Sequence, residues 1–246
     1  MKSIATASQA RTALRQFVKP DRAPILMRFF KTGKGEYAEG DKFIGVMVPE
    51  TRSVAARAKG LSLKEAEKLL ISKIHEERLL ALFILAKQFA EGSPKKREKI
   101  FKVFLKNKRH VDNWDLVDSS APYISGPVFF EQAQSSPAGR VKAQKTLLKM
   151  AKSKNLWERR IAIMSTFYFI KQNEFAETLM VSEILIRDEH DLIHKAVGWM
   201  LREVGNRDQK AEEAFLKKHY KIMPRTMLRY AIEKFSPKLR AHYMGR

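Results

Sequence analysis

Apolar residues recur at three- and four-residue spacing along the whole chain, as Leu69, Leu70, Ile74, Leu80, Phe83 and Ile84 illustrate, and no segment alternates in the manner of a strand. The pattern predicts an all-α protein. Breaks fall at Lys19-Pro20, Gly33 to Asp41, Pro49, Gly60 to Ser62, Gly92-Ser93-Pro94, Gly126-Pro127, Ser135 to Gly139, Gly205-Asn206 and Met223-Pro224. They leave about a dozen helices of roughly ten to eighteen residues. Ser62 with Glu65 three residues on, and Ser93 before Pro94, read as helix starts.

Helices of similar texture can be laid over one another: RLLALFIL from Arg78, WDLVDSSA from Trp114, RRIAIMST from Arg159, HKAVGWML from His194 and LRYAIEKF from Leu228. With Ala81, Val117, Ala162, Val197 and Ala231 as anchors, successive gaps are 36, 45, 35 and 34 residues. These are helix-pair periods. Units too small to bury their own apolar faces stack into a solenoid of the HEAT or armadillo kind. The expectation is a right-handed α-solenoid of about six such units, one domain over residues 1–246. The second helix of each unit would line its concave face, placing Arg78, Trp114, Asp118, Arg159, Arg160, His194, Lys195, Trp199 and Arg202 in one basic groove.

Charge sharpens this picture. The 246 residues hold 48 Lys and Arg against 27 Asp and Glu, a formal net charge of +21. A polyanionic partner is implied, and because the basic residues are spread along the chain, nucleic acid fits better than a membrane surface. The rival is a protein-binding solenoid with a solvated charged surface. The absence of Cys excludes thiol catalysis, disulfides and Cys-ligated zinc, and is compatible with a reducing compartment. No apolar stretch is long enough for a membrane span. The acid-free first twenty residues could imitate a transit peptide, but Ile4, Leu14, Phe17 and Val18 read equally well as one helical face.

The segment Asn113-Trp114-Asp115-Leu116-Val117-Asp118 is the most informative. On a helix Trp114 and Asp118 share a face, so one indole and one carboxylate form a patch, whereas Asp115 lies about 100° away and reads as solvent-facing or ion-paired. Taken alone, the pair is equally readable as packing plus a surface acid. The other two tryptophans, Trp157 and Trp199, also fall in or beside aligned helices. Trp157 reads as core at a helix start; Trp199 is open between core and site, and Gly198 beside it leaves room for another backbone or a ligand.

These residues resemble the AlkD-type DNA glycosylases of the DNA alkylation repair family, from about Pro24 to Lys234. The matching segments are NWDLVDSSAP at 113–122, LWERRIAIMSTF at 156–167, HKAVGWMLREVG at 194–205 and KTGKGEYAEGDKFIGVMVPETR at 31–52. The resemblance implies that Asp118, Trp114 and Trp199 form the catalytic constellation, that Arg160 binds DNA, and that Arg52 is a DNA-contacting residue. Phe29 stands where relatives can have Tyr, and the loop from Lys31 to Phe43 is longer and richer in Lys and Gly. Arg159 and Lys195 join Arg160 as phosphate-binding cations.

The implied activity is hydrolysis of the N-glycosidic bond of cationic alkylated purines, such as 3-methyladenine and 7-methylguanine, in duplex DNA. The implied protein needs no cofactor or metal, acts as a monomer without an obligate protein partner, binds no membrane, and is cytoplasmic, or nucleoid-associated if bacterial. The alternative is an inactive relative that binds distorted or branched DNA. Weaker signals point elsewhere. Thr32-Gly33-Lys34-Gly35 lacks the spacing of a phosphate loop and reads as a mobile basic loop, and His190 with His194 lacks the intervening Glu and third ligand of a metal site. The basic runs at Lys95 to Lys99 and Lys106 to Arg109 read as solvated helix faces, with DNA backbone contact as the second reading.

Overall fold

The structure, a computed structural model, describes residues 4–245. Every regular element among them is helical, and one isolated parallel bridge joins Lys42 to Ile74. The chain divides into two compact units, Met1–Ile124 and Ser125–Arg246.

The first unit comprises α1 (Ala7–Arg15), α2 (Ala23–Phe29), α3 (Val48–Arg57), α4 (Leu63–Leu70), α5 (His75–Ala90), α6 (Pro94–Lys106) and α7 (Trp114–Asp118), with a 3₁₀ turn at Lys108–His110. At its centre lies α5, which packs against α3, α4, α6 and α7. Leu79 to Leu85 are buried without interruption, since this helix meets neighbours on all sides and has no polar face to keep wet. Local chemistry sets the helix ends. Thr6 and Gln9 form a reciprocal capping box, Ser62 Oγ accepts from Glu65 N at 3.3 Å, and Pro94 opens α6 although Ser93 makes no side-chain cap. Ile4 and Leu14 are buried and Phe17 and Val18 half-buried, but only Leu14 lies in α1, so the four do not form the single helical face that their spacing suggested; residues 1–3 of the transit-peptide reading lie outside the described residues.

The second unit comprises α8 (Ser125–Ser135), α9 (Pro137–Ala151), α10 (Leu156–Lys171), α11 (Ala176–Leu185), α12 (Asp191–Gly205), α13 (Gln209–His219), α14 (Arg225–Ala231) and α15 (Pro237–Met244). Helices α8, α10, α12 and α14 pack in succession, while α9 and α11 lie against them and α13 against α12. This alternation is the stacked helix-pair arrangement that the sequence periods imply. All five anchors are buried. The gap of 45 residues between Val117 and Ala162 has a structural cause: two helices, α8 and α9, intervene there, whereas one intervenes elsewhere.

Gly205 and Glu212 show how tightly α12 and α13 meet. A Cβ on Gly205 would overlap Glu212 Oε2, and Glu212 is 1% exposed with no hydrogen-bond partner for Oε1. Burial, reinforced by Glu213 and only partly offset by Arg202, pushes the Glu212 carboxyl up to about 9. An acid raised in the folded state costs stability as pH climbs above its free value of 4.5, because only the unfolded chain ionises there. Glu212→Gln is therefore expected to raise the melting temperature at pH 8 and to leave it unchanged at pH 4. Equal effects at both values would assign the change to packing.

Candidate functional site

Four consecutive charged residues open α5, and all four are buried: His75, Glu76, Glu77 and Arg78 are 1%, 2%, 2% and 4% exposed. Together they tie neighbouring segments to the helix. His75 Nδ1 meets Asp41 Oδ2 at 2.8 Å and its Nε2 meets Asp115 Oδ2 at 2.8 Å. Glu76 accepts the backbone N–H groups of Ile44, Gly45 and Val46 at 2.9–3.2 Å. Glu77 takes Arg11 Nε and Ser72 Oγ. Arg78 donates to Asp41 Oδ1 at 2.8 Å and to the Ser72 carbonyl at 3.1 Å, and pairs with Asp112 at 3.2 Å. Arg78, expected in an open groove, is instead an internal brace.

Charge states follow from this geometry. Burial drives the His75 imidazole down, but the charge and hydrogen bond of Asp115, joined by those of Asp41, outweigh it and raise the group from 6.5 to about 9. Burial pushes Asp41 up, yet its bond and attraction to His75, followed by Arg78, bring it below its ordinary value. Burial holds Glu76 above the usual carboxylate range despite the backbone amides that favour its ionised form. With its group raised to about 9, His75 faces Asp41 and Asp115 as an imidazolium.

The loop between α2 and α3 supplies the cluster's outer half. Lys31, at φ 58°, ends α2 in the left-handed region. Gly33 N and Gly35 N donate to Glu36 and Glu39 at 2.8 and 2.9 Å, so the amides of this Lys- and Gly-rich loop are engaged by its own acids. Gly45, at φ 83°, brings the chain so close to the Lys19 carbonyl that no Cβ fits, which lets residues 44–46 face Glu76. The loop thus delivers Asp41 and Phe43, two residues the sequence reading passed over.

Rings pack around the imidazole, where both Phe43 and Phe30 meet His75, at 4.2 and 5.1 Å. Phe43 stacks on His75 at 4.2 Å, Phe30 on Phe43 at 4.9 Å, and Trp114 on Phe30 at 5.2 Å, with interplanar angles of 20°, 19° and 19°. Phe29 meets the Trp114 ring edge-on at 5.9 Å and is itself 62% exposed. α2 buries none of its residues: Phe29 is open beside the indole, Ile25 is exposed one turn before it on the same face, and Met27 is exposed on the opposite side.

The helix α7, which presents Trp114 and Asp118, has only five residues and cannot be stable by its own hydrogen bonds. Asn113 Oδ1 accepts from Trp114 N at 2.8 Å, Asp115 Oδ1 accepts from Leu116 N at 2.9 Å, and Leu116 and Val117 are fully buried. Trp114 and Asp118 remain half-exposed. Asp115 takes the ion-paired option of the sequence reading, with His75 as partner. Arg52 on α3 is exposed, its guanidinium 4.1 Å from the Phe83 ring centroid.

In the second unit, Trp157 is buried as expected of a core residue at a helix start. Arg159 is held by Asp188 at 2.6 Å and by the carbonyls of Ser153 and Lys154 at 3.0 Å. Arg160 is 5% exposed and donates to the Leu192 carbonyl at 2.5 Å, tying α10 to the start of α12. Lys195 pairs with Asp191 at 2.6 Å. Trp199 is half-exposed, donates to Glu203 Oε1 at 2.9 Å and lies 6.1 Å from the Phe167 ring. Gly198 admits a backbone: α14 packs against it. His190 accepts from Leu192 N and His194 contacts the Asp188 carbonyl. No group of three or more metal-ligating side chains is assembled among the described residues.

A family model described as DNA alkylation repair enzyme matches residues 10–235, most of the chain. The chain belongs to the DNA alkylation repair family. Among solved structures, one described as a predicted DNA alkylation repair enzyme from Enterococcus faecalis is similar, with a TM-score of 0.65 at 15% identity. The match covers 89% of this chain and 97% of that one, and shows a common fold. No curated protein matches this chain. Membership of the family gives the helical stacking its context and makes DNA the substrate on which the Trp114 and Asp118 patch is to be judged. The buried cluster beneath that patch was not read from the sequence, because Glu76 and Glu77 fit the ordinary preference for acids in a first helical turn.

Proposed function

We propose that this member of the family is a DNA glycosylase that hydrolyses the N-glycosidic bond of cationic alkylated purines in duplex DNA. The observation that supports the reading is α7: a helix too short to stand alone, braced from below, that leaves one indole and one carboxylate half-exposed on its upper side.

Alkylation at N3 or N7 places positive charge on a purine, so the base already leaves well and needs no protonation. Charge then develops on the sugar as the C1′–N bond breaks, and a carboxylate stabilises that transition state more than the ground state. Asp118 supplies the carboxylate and can orient the attacking water. The Trp114 face offers an apolar platform for the deoxyribose and attraction to the developing cation. Phe29 extends that platform, and Arg52 on α3 supplies an exposed cation for the phosphates. In the second unit Trp199 and Lys195 are DNA contacts; Arg160 and Arg159, already engaged by protein groups, contribute through the α10 and α12 surfaces they order.

The test is release of 3-methyladenine and 7-methylguanine from methylated duplex DNA, with EDTA present. Release of free base is the expected result. Salt-sensitive duplex binding without release of either base would overturn the glycosylase reading in favour of a binding protein.

A further inference from the structure

We propose that His75, clasped as a cation between Asp41 and Asp115, is a positioning residue that sets where α7 presents Trp114 and Asp118. The inference rests on the glycosylase reading for its catalytic consequence and on geometry alone for the clasp.

Two routes lead from the imidazole to α7. One is ionic: Asp115 is the second residue of the helix, so its 2.8 Å contact with Nε2 fixes the backbone between Trp114 and Leu116. The other is aromatic: Phe30 meets His75 directly at 5.1 Å and through Phe43, and stacks on the Trp114 ring. A neutral imidazole has one N–H and would leave one of the two carboxylates facing a lone pair; only the imidazolium donates to both. The second carboxylate, Asp41, belongs to the loop that also supplies Phe43, so the same cation fixes the loop and the helix at once.

Other charged groups around the ring are already engaged. Arg78 is shared by Asp41 and Asp112, Asn113 Nδ2 reaches Asp41 at 3.5 Å, Glu76 is turned to the 44–46 amides, and Glu77 is taken by Arg11 and Arg15. None of them replaces the link between Asp41 and Asp115. A base raised above its free value of 6.5 lends its full stabilisation below that pH and loses it as pH passes about 9. The clasp should therefore be closed at neutral pH and open in mild alkali.

The first arm of the test needs no DNA. In nitrogen-labelled protein, NMR should show both His75 ring nitrogens protonated at neutral pH and titrating near pH 9, with the Trp114 indole N–H resonance moving at the same midpoint. Asp115→Asn should lower that midpoint. A neutral His75 at neutral pH, or a titration that leaves the Trp114 resonance still, would overturn the proposal.

The second arm is the single-turnover excision rate across the same pH range. Its alkaline inflection should follow the NMR midpoint in wild type and in Asp115→Asn. His75→Gln should slow excision by about 10- to 100-fold, the scale of a small misplacement of reacting groups, with undamaged-duplex binding within about twofold. An unchanged rate in His75→Gln would refute the positioning role. If wild type excises nothing while the NMR coupling is present, the glycosylase reading fails and the clasp stands.

Discussion

Asp118→Asn should leave binding to an abasic-site duplex nearly intact while lowering the excision rate by on the order of 10²-fold or more. The substitution keeps the shape of the side chain and removes only its charge. A carboxylate that stabilises an oxocarbenium-like sugar acts in the transition state, where the sugar is positive, and barely in the bound ground state, where it is not. Loss of such a group lowers the rate without a matching loss of affinity. Parallel assays of binding and single-turnover excision separate the two. Equal losses in both would mean that Asp118 serves the structure of α7, which is short enough for its last residue to matter in that way.

Gly198→Ala should cost about 1–3 kcal/mol or more, because the added methyl overpacks a helix–helix contact. An added Cβ would stand 2.5 Å from Tyr230 Cβ and closer still to the Met227 carbonyl oxygen. Both obstacles belong to α14, and neither is the far end of a flexible side chain, so α12 and α14 must separate along their whole contact. Gly60→Ala is the matched control: nothing lies within 4 Å of its added methyl and its backbone is not left-handed. Denaturant unfolding followed by the fluorescence of Trp157 and Trp199 should show a lower midpoint for Gly198→Ala and none for Gly60→Ala. Equal midpoints would mean that the helices reseat without loss of contact.

The helices and their stacking were legible because burial at three- and four-residue spacing leaves its period in the sequence. Ala81, Val117, Ala162, Val197 and Ala231 are buried anchors at helix-pair intervals for that reason. The break at Gly126-Pro127 marked the start of α8, but the helix pattern did not reveal that the segment at Trp114 stops after five residues, since Ser119 to Ala121 hold no strong breaker. The patch of Trp114 and Asp118 was legible from spacing alone, because a four-residue separation survives even one turn of helix. Its support was not. Phe30, Asp41, Phe43 and His75 lie 39 to 84 residues before Trp114 in the chain, and they meet because α5 gathers the loop and α7 at its first turn.

Cations mark the same boundary. The sequence by itself determined that this chain is helical, repetitive, strongly basic and a relative of the DNA alkylation repair enzymes, since each property is a sum or a period over many residues. Tertiary structure decided which charges face solvent. Arg78 and Arg159 are indistinguishable in sequence from Arg52, yet Asp41, Asp112 and Asp188 neutralise the first two while Arg52 lies open over Phe83. The physical reason is that a buried cation is tolerated only where carboxylate or carbonyl oxygens meet it, and which of them arrive is set by packing between distant segments. Residue type supplies the charge; the fold supplies its partner.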